Sequence, residues 1–496
     1  MAAVITHQAV PLVIAVVGHR DPRPEALPRL RELFRQDLER LLRALPHTPL
    51  LMLNGLACGM DSEAAEVFLD VCAGGEHRLV AALPKRPEHY RADFSPGPEL
   101  ERLERLLQAT AAVLHPGNCA ELRGDAEEGE DLPRPHCYGQ QGLFLVRHAY
   151  LLFAFNNGVE TMDVGGTSQS VALQKGEVHP LFLSVEEVIA SLEPGALIDY
   201  DTPRFKNRLP EGLSRPERSC WLQGQETKAI DDLLTIPAQL DQTNRTGLRP
   251  TRQLRLHRRA WLAVALVVSV PLALLDLGWV SLVPALIAAL SIPWLTRTAR
   301  REAVVQHCLA DAEAVQAIWA VACVETDCAD LLQSRMNPAL HWVRTHLRAD
   351  RLQRLCSGGS SEPWEQAHRW LVEQQAWQEQ RYQRLRRNGR QLLRLNLVAG
   401  LASVPLGAAG FPWLSWIGLV LGLLVLLEAV WCADRSEARC SRRRRDQLGR
   451  CLRAYEQALY TAEDEPHRLK RLRCALEAAG RDTLDELNDR VSAQLR

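Results

Sequence analysis

The chain has 496 residues, 47% of them hydrophobic, and 59 Lys and Arg against 60 Asp and Glu leave a formal net charge of −1. That length accommodates roughly two to four domains with cores of their own, and the charge balance excludes a global electrostatic pull toward nucleic acid. The 13 cysteines are scattered without a CxxC pair, and the closest two, Cys323 and Cys328, have no histidine cluster alongside, so neither a metal centre nor a disulfide framework is expected.

The apolar run Val10–Val17 has no basic segment before it and is followed by Gly18-His19-Arg20-Asp21, which reads as a buried strand rather than an export signal. From there to Ser184, short apolar runs alternate with helical patterns. The predicted strands are Leu12–Val17, Leu50–Asn54, Arg78–Leu83, Ala111–His115, Leu151–Phe155 and Pro180–Ser184. The predicted helices are Arg29–Leu45, Ser62–Cys72, Glu99–Ala109, Gly139–His148 and Ser168–Gly176, and the acidic insert Glu121–Arg134 reads as a solvated loop. Continuous rather than alternating hydrophobicity in the strands suits a sheet covered on both faces. The expected fold is therefore an α/β doubly wound parallel sheet, Rossmann-like.

Proline and glycine punctuate Glu193–Pro216 and mark a domain edge, after which Cys220–Ile236 reads as helical and leads to the basic run Arg249–Arg259. Four apolar stretches follow in two pairs: Ala260–Leu275 with Leu277–Leu295, and Leu395–Gly410 with Trp413–Ala433. Arginines flank both pairs and none lies in their short turns, which predicts two transmembrane hairpins with both termini cytoplasmic in a multi-pass cell (inner) membrane protein. A constant offset relates the hairpins, with Ser269, Val270, Pro271 and Arg301 matching Ser403, Val404, Pro405 and Arg435, as in a tandem repeat. Glu302–Leu385 and Asp434–Arg496 read as cytoplasmic helices.

In an open parallel sheet, ligands bind outside the carboxyl ends of the strands, so three loops are expected to converge there. They are Gly18-His19-Arg20, the turn Asn54-Gly55 through Ala57-Cys58-Gly59-Met60-Asp61, and Asn157 with Gly165-Gly166-Thr167-Ser168. Glycines let backbone amides approach a phosphate, two helix N-termini favour negative charge, Arg20 can fork onto an oxyanion, and Lys85 adds a cation. Asp61 and Glu63 are read as stabilising the start of their helix. The expected site has ligand-binding residues, no catalytic residue, no metal and no cofactor.

The set VVGHRD, NGLACGMDSEAAE, LPKRPEHYRADF, YGQQGLFLVRHAYLLFAFNNG and GGTSQSVALQ, over about Val13–Gly176, resembles the SLOG superfamily, the Rossmann-like group that includes DprA/Smf proteins and LOG phosphoribohydrolases. The resemblance implies a nucleotide-derived ligand. Fused to transmembrane helices, it implies a bacterial anti-phage membrane effector. Enzymes of the LOG type carry a PGGxGTxxE loop, whereas Ser170 and Val171 stand here where its acid would fall, which favours a sensor over an enzyme.

The expected organisation is a SLOG-like nucleotide-sensing domain at 1–193, a linker and coupling helix at 194–259, hairpins at 260–296 and 395–433, and cytoplasmic helices at 297–394 and 434–496. The expected function is a membrane-bound receptor in which a nucleotide-derived second messenger, cyclic or derived from ADP-ribose, triggers homo-oligomerisation and disruption of the lipid bilayer or pore opening in anti-phage defence. The alternatives are a membrane-tethered nucleotide or NAD hydrolase or N-glycosidase, and a constitutive ion channel. No nucleic-acid partner is expected.

Overall fold

A computed structural model of the chain describes residues 9–115, 134–158, 164–177, 195–204, 218–227, 229–246, 308–320, 328–331, 341–357, 363–408, 434–460 and 465–495. The packing divides them into two compact units. One holds the described residues within Met1–Ala320, Glu325–Gly359 and Leu487–Arg496, and the other those within Ser360–Glu486.

The first unit is built on an eight-stranded sheet. In chain order its α/β part runs β1 (Leu12–Gly18), α1 (Leu27–Ala44), β2 (Leu50–Asn54), α2 (Met60–Val71), β3 (Arg78–Ala82), α3 (Pro87–Tyr90), α4 (Pro98–Ala109), β4 (Ala112–Leu114), α5 (Arg134–His148), β5 (Leu151–Asn156) and α6 (Thr167–Lys175). The strands β6 (Ala196–Asp201), β7 (Arg218–Leu222) and β8 (Gln225–Thr227) follow. The spatial order is β4-β3-β2-β1-β5-β6-β7-β8, parallel from β4 through β6. β7 and β8 are antiparallel additions.

The central strands are buried along their whole length because their sequences, LLMLN in β2 and LLFAFN in β5, have no polar residue before the last position. Layers of helix cover them. α1 carries its apolar residues at helical spacing and buries Leu30, Phe34, Leu38 and Leu41, with Phe34 edge-on to Phe153 at 5.1 Å and to Phe155 at 5.8 Å. α2 buries Ala64, Ala65, Val67 and Phe68. Glu63 on its outer face takes Arg31 of α1 and Arg102 of α4, which ties three helices together. One charge lies deep: Asp37 of α1 is 2% exposed, accepts a hydrogen bond from the Tyr200 hydroxyl of β6 at 2.7 Å and pairs with Arg218 of β7.

The sheet corrects the expectation of an all-parallel architecture. Where Cys220–Ile236 was read as helical, β7 and β8 form a hairpin, and helices begin only at Ile230 and Thr235. Its two-residue turn is Gln223-Gly224, with φ of 53° and 77°, the double positive φ of a type I′ turn that matches strand twist. The strand predicted at Pro180–Ser184 lies outside the described residues.

The membrane expectation is also overturned. No helix among the described residues is long and apolar enough to cross a membrane. The stretch read as the third span, Leu395–Gly410, begins in the helix Pro363–Ala408, whose first two-thirds is dense in Glu, Gln and Arg. The stretches at 260–296 and 409–433 lie outside the described residues. The transmembrane hairpins and the pore-forming and multi-pass inner-membrane assignments are corrected on that finding.

The second unit consists of the helices Pro363–Ala408, Asp434–Tyr460 and the greater part of Glu465–Leu495. Tyr455 donates its hydroxyl to the Trp364 carbonyl at 2.8 Å, and the buried Glu486 carboxylate receives Gln378 at 2.9 Å, Arg381 at 2.8 Å and Arg444.

Candidate functional site

In the parallel part of the sheet the strand order reverses at β1: β2, β3 and β4 lie to one side, β5 and β6 to the other. The carboxyl ends of β1 and β5 therefore flank a crevice of the kind in which open α/β sheets take ligands. His19 follows β1 and Asn157 follows β5, and they meet there, the Asn157 N–H donating to His19 Nε2 at 3.2 Å. Burial, followed by the charge of Arg204, lowers the His19 pKa, which keeps the ring neutral and fits Nε2 as an acceptor. Ser168, in the first turn of α6, donates to the Asn156 side chain at 3.3 Å and brings the glycine-rich Gly165–Thr167 stretch to the same edge.

On the other side of β1, the turn between β2 and α2 is locked from within. Asn54 is fully buried; its amide donates to the Asp61 carbonyl at 3.0 Å and accepts from the Leu56 N–H at 2.6 Å. Leu56 takes a positive φ of 52° to close the turn, and Tyr90 donates to the Gly55 carbonyl at 3.0 Å. Gly59 has φ of 87° and lies against the next loop so closely that a Cβ there would stand 2.5 Å from the His19 carbonyl oxygen and 2.6 Å from that of Arg20. The approach lets the Met60 N–H donate to the His19 carbonyl at 3.1 Å. The amides of Met60, Ser62 and Glu63 all have backbone acceptors. The start of α2 thus contributes its dipole but few open donors, and side chains must hold an anion at this point.

Arg20 is the side chain in position. It is exposed at the mouth, and its guanidinium donates to the Tyr138 hydroxyl at 2.7 Å while lying 5.5 Å from that ring's centre. Tyr138 donates in turn to Asp93 at 2.8 Å, and Asp93 holds Lys85 at 3.2 Å. Hydrogen bonds from Tyr138 and Lys85, with the charge of Arg134, overcome the effect of burial and hold the Asp93 carboxyl below the ordinary range. Beside Arg20, Asp61 is 9% exposed and its Oδ1 has no hydrogen-bond partner. Burial pushes the Asp61 carboxyl up to about 7, against the opposing pull of Arg20 and of the Gly18 and Ala57 amides. Cys58 is half-buried and its thiol is pushed up to about 11 by burial and by Glu99, so it is a poor nucleophile at neutral pH.

The structure therefore brings His19, Arg20, Asp61, Asn157 and Ser168 to one edge, reaches Lys85 through Asp93 and Tyr138, and spends Asn54 on the turn. Tyr138, Asp93 and Gln141 were not singled out as site residues from the sequence. Gln141 donates to the Ala82 carbonyl at 2.6 Å and packs against Gly55. Tyr138 lies 118 positions from Arg20, and its only signal was its place in the YGQQG stretch. Gly165 explains its own glycine, since a Cβ there would come within 2.5 Å of Tyr138 Cβ.

An open cleft of about 450 Å³ is lined by Gly97, Glu101, Glu104 and Arg105 and their neighbours on α4, and contains none of these groups. Among the described residues, no group of three or more His, Cys, Asp or Glu could hold a metal ion. Comparison with protein-family models, with curated proteins and with solved structures gives no match.

Proposed function

We propose that the α/β unit is a receptor for a nucleotide-derived ligand, bound at the reversal of strand order beside β1. The observation that carries this reading is the placement of the exposed Arg20, held by Tyr138, next to the paired His19 and Asn157 at the carboxyl ends of β1 and β5. A guanidinium braced by an aromatic hydroxyl suits a phosphate, and the adjoining crevice offers amide and hydroxyl groups to a sugar or base. The ordered resemblance of five sequence stretches to the SLOG superfamily supports the same ligand class, and extends it to a signal made in anti-phage defence. Isothermal titration of the full-length chain with AMP, ATP, cyclic AMP, NAD and ADP-ribose tests the proposal. Saturable binding of at least one, weakened about tenfold to a hundredfold in Arg20→Ala, is expected; heat-silent titration by all of them, with no thermal stabilisation, contradicts it.

A hydrolase is the second reading, favoured by the buried Asp61 carboxyl, whose pKa lies near neutrality as a general acid requires. Chromatography of the same nucleotides after incubation with the chain separates the two: turnover abolished by Asp61→Asn would replace the receptor with an enzyme.

A further inference from the structure

Asp61 is a buried carboxyl with an unused oxygen at the mouth of a proposed anion site. Its carboxyl lies between the ends of β1 and β2, where both strands finish in or beside glycine. A Cβ on Gly18 would stand 3.5 Å from Oδ1, and one on Gly55 3.4 Å from Oδ2, which places the carboxyl in van der Waals range of both strand ends. Asp61 faces Arg20 from the loop after β1, the Gly18 and Ala57 amides and Tyr90 from α3, while Arg20 itself also faces Tyr138 from α5 and Cys58 from the β2–α2 turn. Glu63, two residues on, is engaged by Arg31 and Arg102, and the Lys85–Asp93 pair lies behind Tyr138. Arg20 is thus the cation that balances Asp61. An oxyanion arriving at Arg20 takes that charge for itself and sets a second negative charge beside the carboxyl.

We propose that Arg20 and Asp61 form a proton-linked anion site, at which a phosphate-class oxyanion binds Arg20 together with one proton from solvent taken up on Asp61. This deepens the nucleotide-receptor reading and rests on it. Burial lowers His19 and, with Glu99 against Cys58, raises Cys58, Tyr90 and Tyr138, whereas it brings Asp61 to about 7. The sign follows directly. Below that value the proton is already in place and costs binding nothing; above it, each ligand must recruit one, and affinity falls as pH rises.

The test is calorimetry of the full-length chain with sulfate, a probe whose charge is constant between about pH 6 and 9, in buffers of different ionisation heat. The expected result is uptake of close to one proton per sulfate above pH 7 and an affinity that falls about tenfold per pH unit there. Asp61→Asn, which mimics the protonated acid, should bind with a flat pH profile, and Arg20→Ala should not bind at any pH. Infrared difference spectra of the unsubstituted chain read the same proton as a protonated-carboxyl band that vanishes as pH rises through about 7. A flat wild-type profile, a slope that persists in Asp61→Asn, no sulfate binding, or a carboxyl ionised throughout overturns the proposal. Nucleotide binding without proton uptake overturns the linkage and leaves the receptor standing; proton-linked sulfate binding without any nucleotide binding does the reverse.

Discussion

Gly59 joins the two loops that build the site, and Gly59→Ala measures what that junction contributes. Two costs are separable. The backbone there, φ 87° and ψ −133°, disfavours any L side chain by about 1–3 kcal/mol. A methyl group would also stand 2.5 Å from the His19 carbonyl oxygen and 2.7 Å from the Arg20 carbonyl carbon, backbone atoms that must move and, in moving, release the 3.1 Å Met60-to-His19 hydrogen bond. Overpacking of that kind costs about 1–3 kcal/mol more. Gly97 supplies the control: its φ of 113° and ψ of −140° are of the same class, it precedes α4 as Gly59 precedes α2, and nothing lies within 4 Å of its absent Cβ. Gly97→Ala therefore carries the first cost alone. Hydrogen exchange read by mass spectrometry reports local opening without requiring the whole chain to unfold in one step. Peptides covering the β2–α2 turn should exchange about 5- to 150-fold faster in Gly59→Ala beyond the acceleration that Gly97→Ala produces at α4, the factor corresponding to about 1–3 kcal/mol. Nucleotide affinity should fall in the first variant and hold in the second. Equal acceleration at the two sites would refute the argument that the close approach of backbones, rather than φ alone, makes Gly59 necessary.

Two further outcomes follow from buried ionisable groups. Arg218→Ala leaves Asp37 with Tyr200 as its partner in an interior that solvates a carboxylate poorly, and should destabilise the α/β unit by about 3 kcal/mol; adding Asp37→Asn should recover most of the loss, and exchange in α1 peptides checks both. His148, fully buried against Phe144, is pushed down to about 3 by burial and then by the charges of Arg147 and Arg348. The unfolded chain takes up that proton below about 6.5 and the folded one does not, so stability is present above that value and should fall by about 1.4 kcal/mol for each pH unit below it. Denaturation from pH 7.5 to 5 measures the slope. His148→Gln should flatten it, and an unchanged slope in that variant would place the titration elsewhere.

The central strands were legible because they are buried on both faces and need no alternation: LLMLN and LLFAFN can be little else in a chain of this composition. The last three strands were not. In β6, ALIDYD, aspartates at two of six positions broke the apolar run, and one of them, Asp199, is half-buried and raised to about 6 by burial. In β7 and β8 the turn signal was Gln-Gly, far weaker than the usual Asn-Gly. At Leu395–Ala408 an apolar composition concealed that the same helix continues backward into a charged stretch.

At the site, local sequence identified the loops and missed what links them. Arg20 and the glycines were visible as types in a pattern. The brace from Tyr138 comes from a helix far along the chain, and Asp61 was read as a helix-start carboxylate because its burial between Gly18 and Gly55 depends on the sheet. The reading of α2 as a phosphate cradle changed in the same way. Its first amides have backbone acceptors, which moves the anion-holding role onto Arg20.

The most direct test of the central claim is the affinity of the full-length chain for nucleotides, measured side by side for the wild type and Arg20→Ala. The account predicts saturable binding of at least one of AMP, ATP, cyclic AMP, NAD or ADP-ribose, weakened about tenfold to a hundredfold by loss of a charge-assisted contact. Binding of the same ligand with equal affinity in Arg20→Ala would place the site away from the carboxyl end of β1 and contradict it.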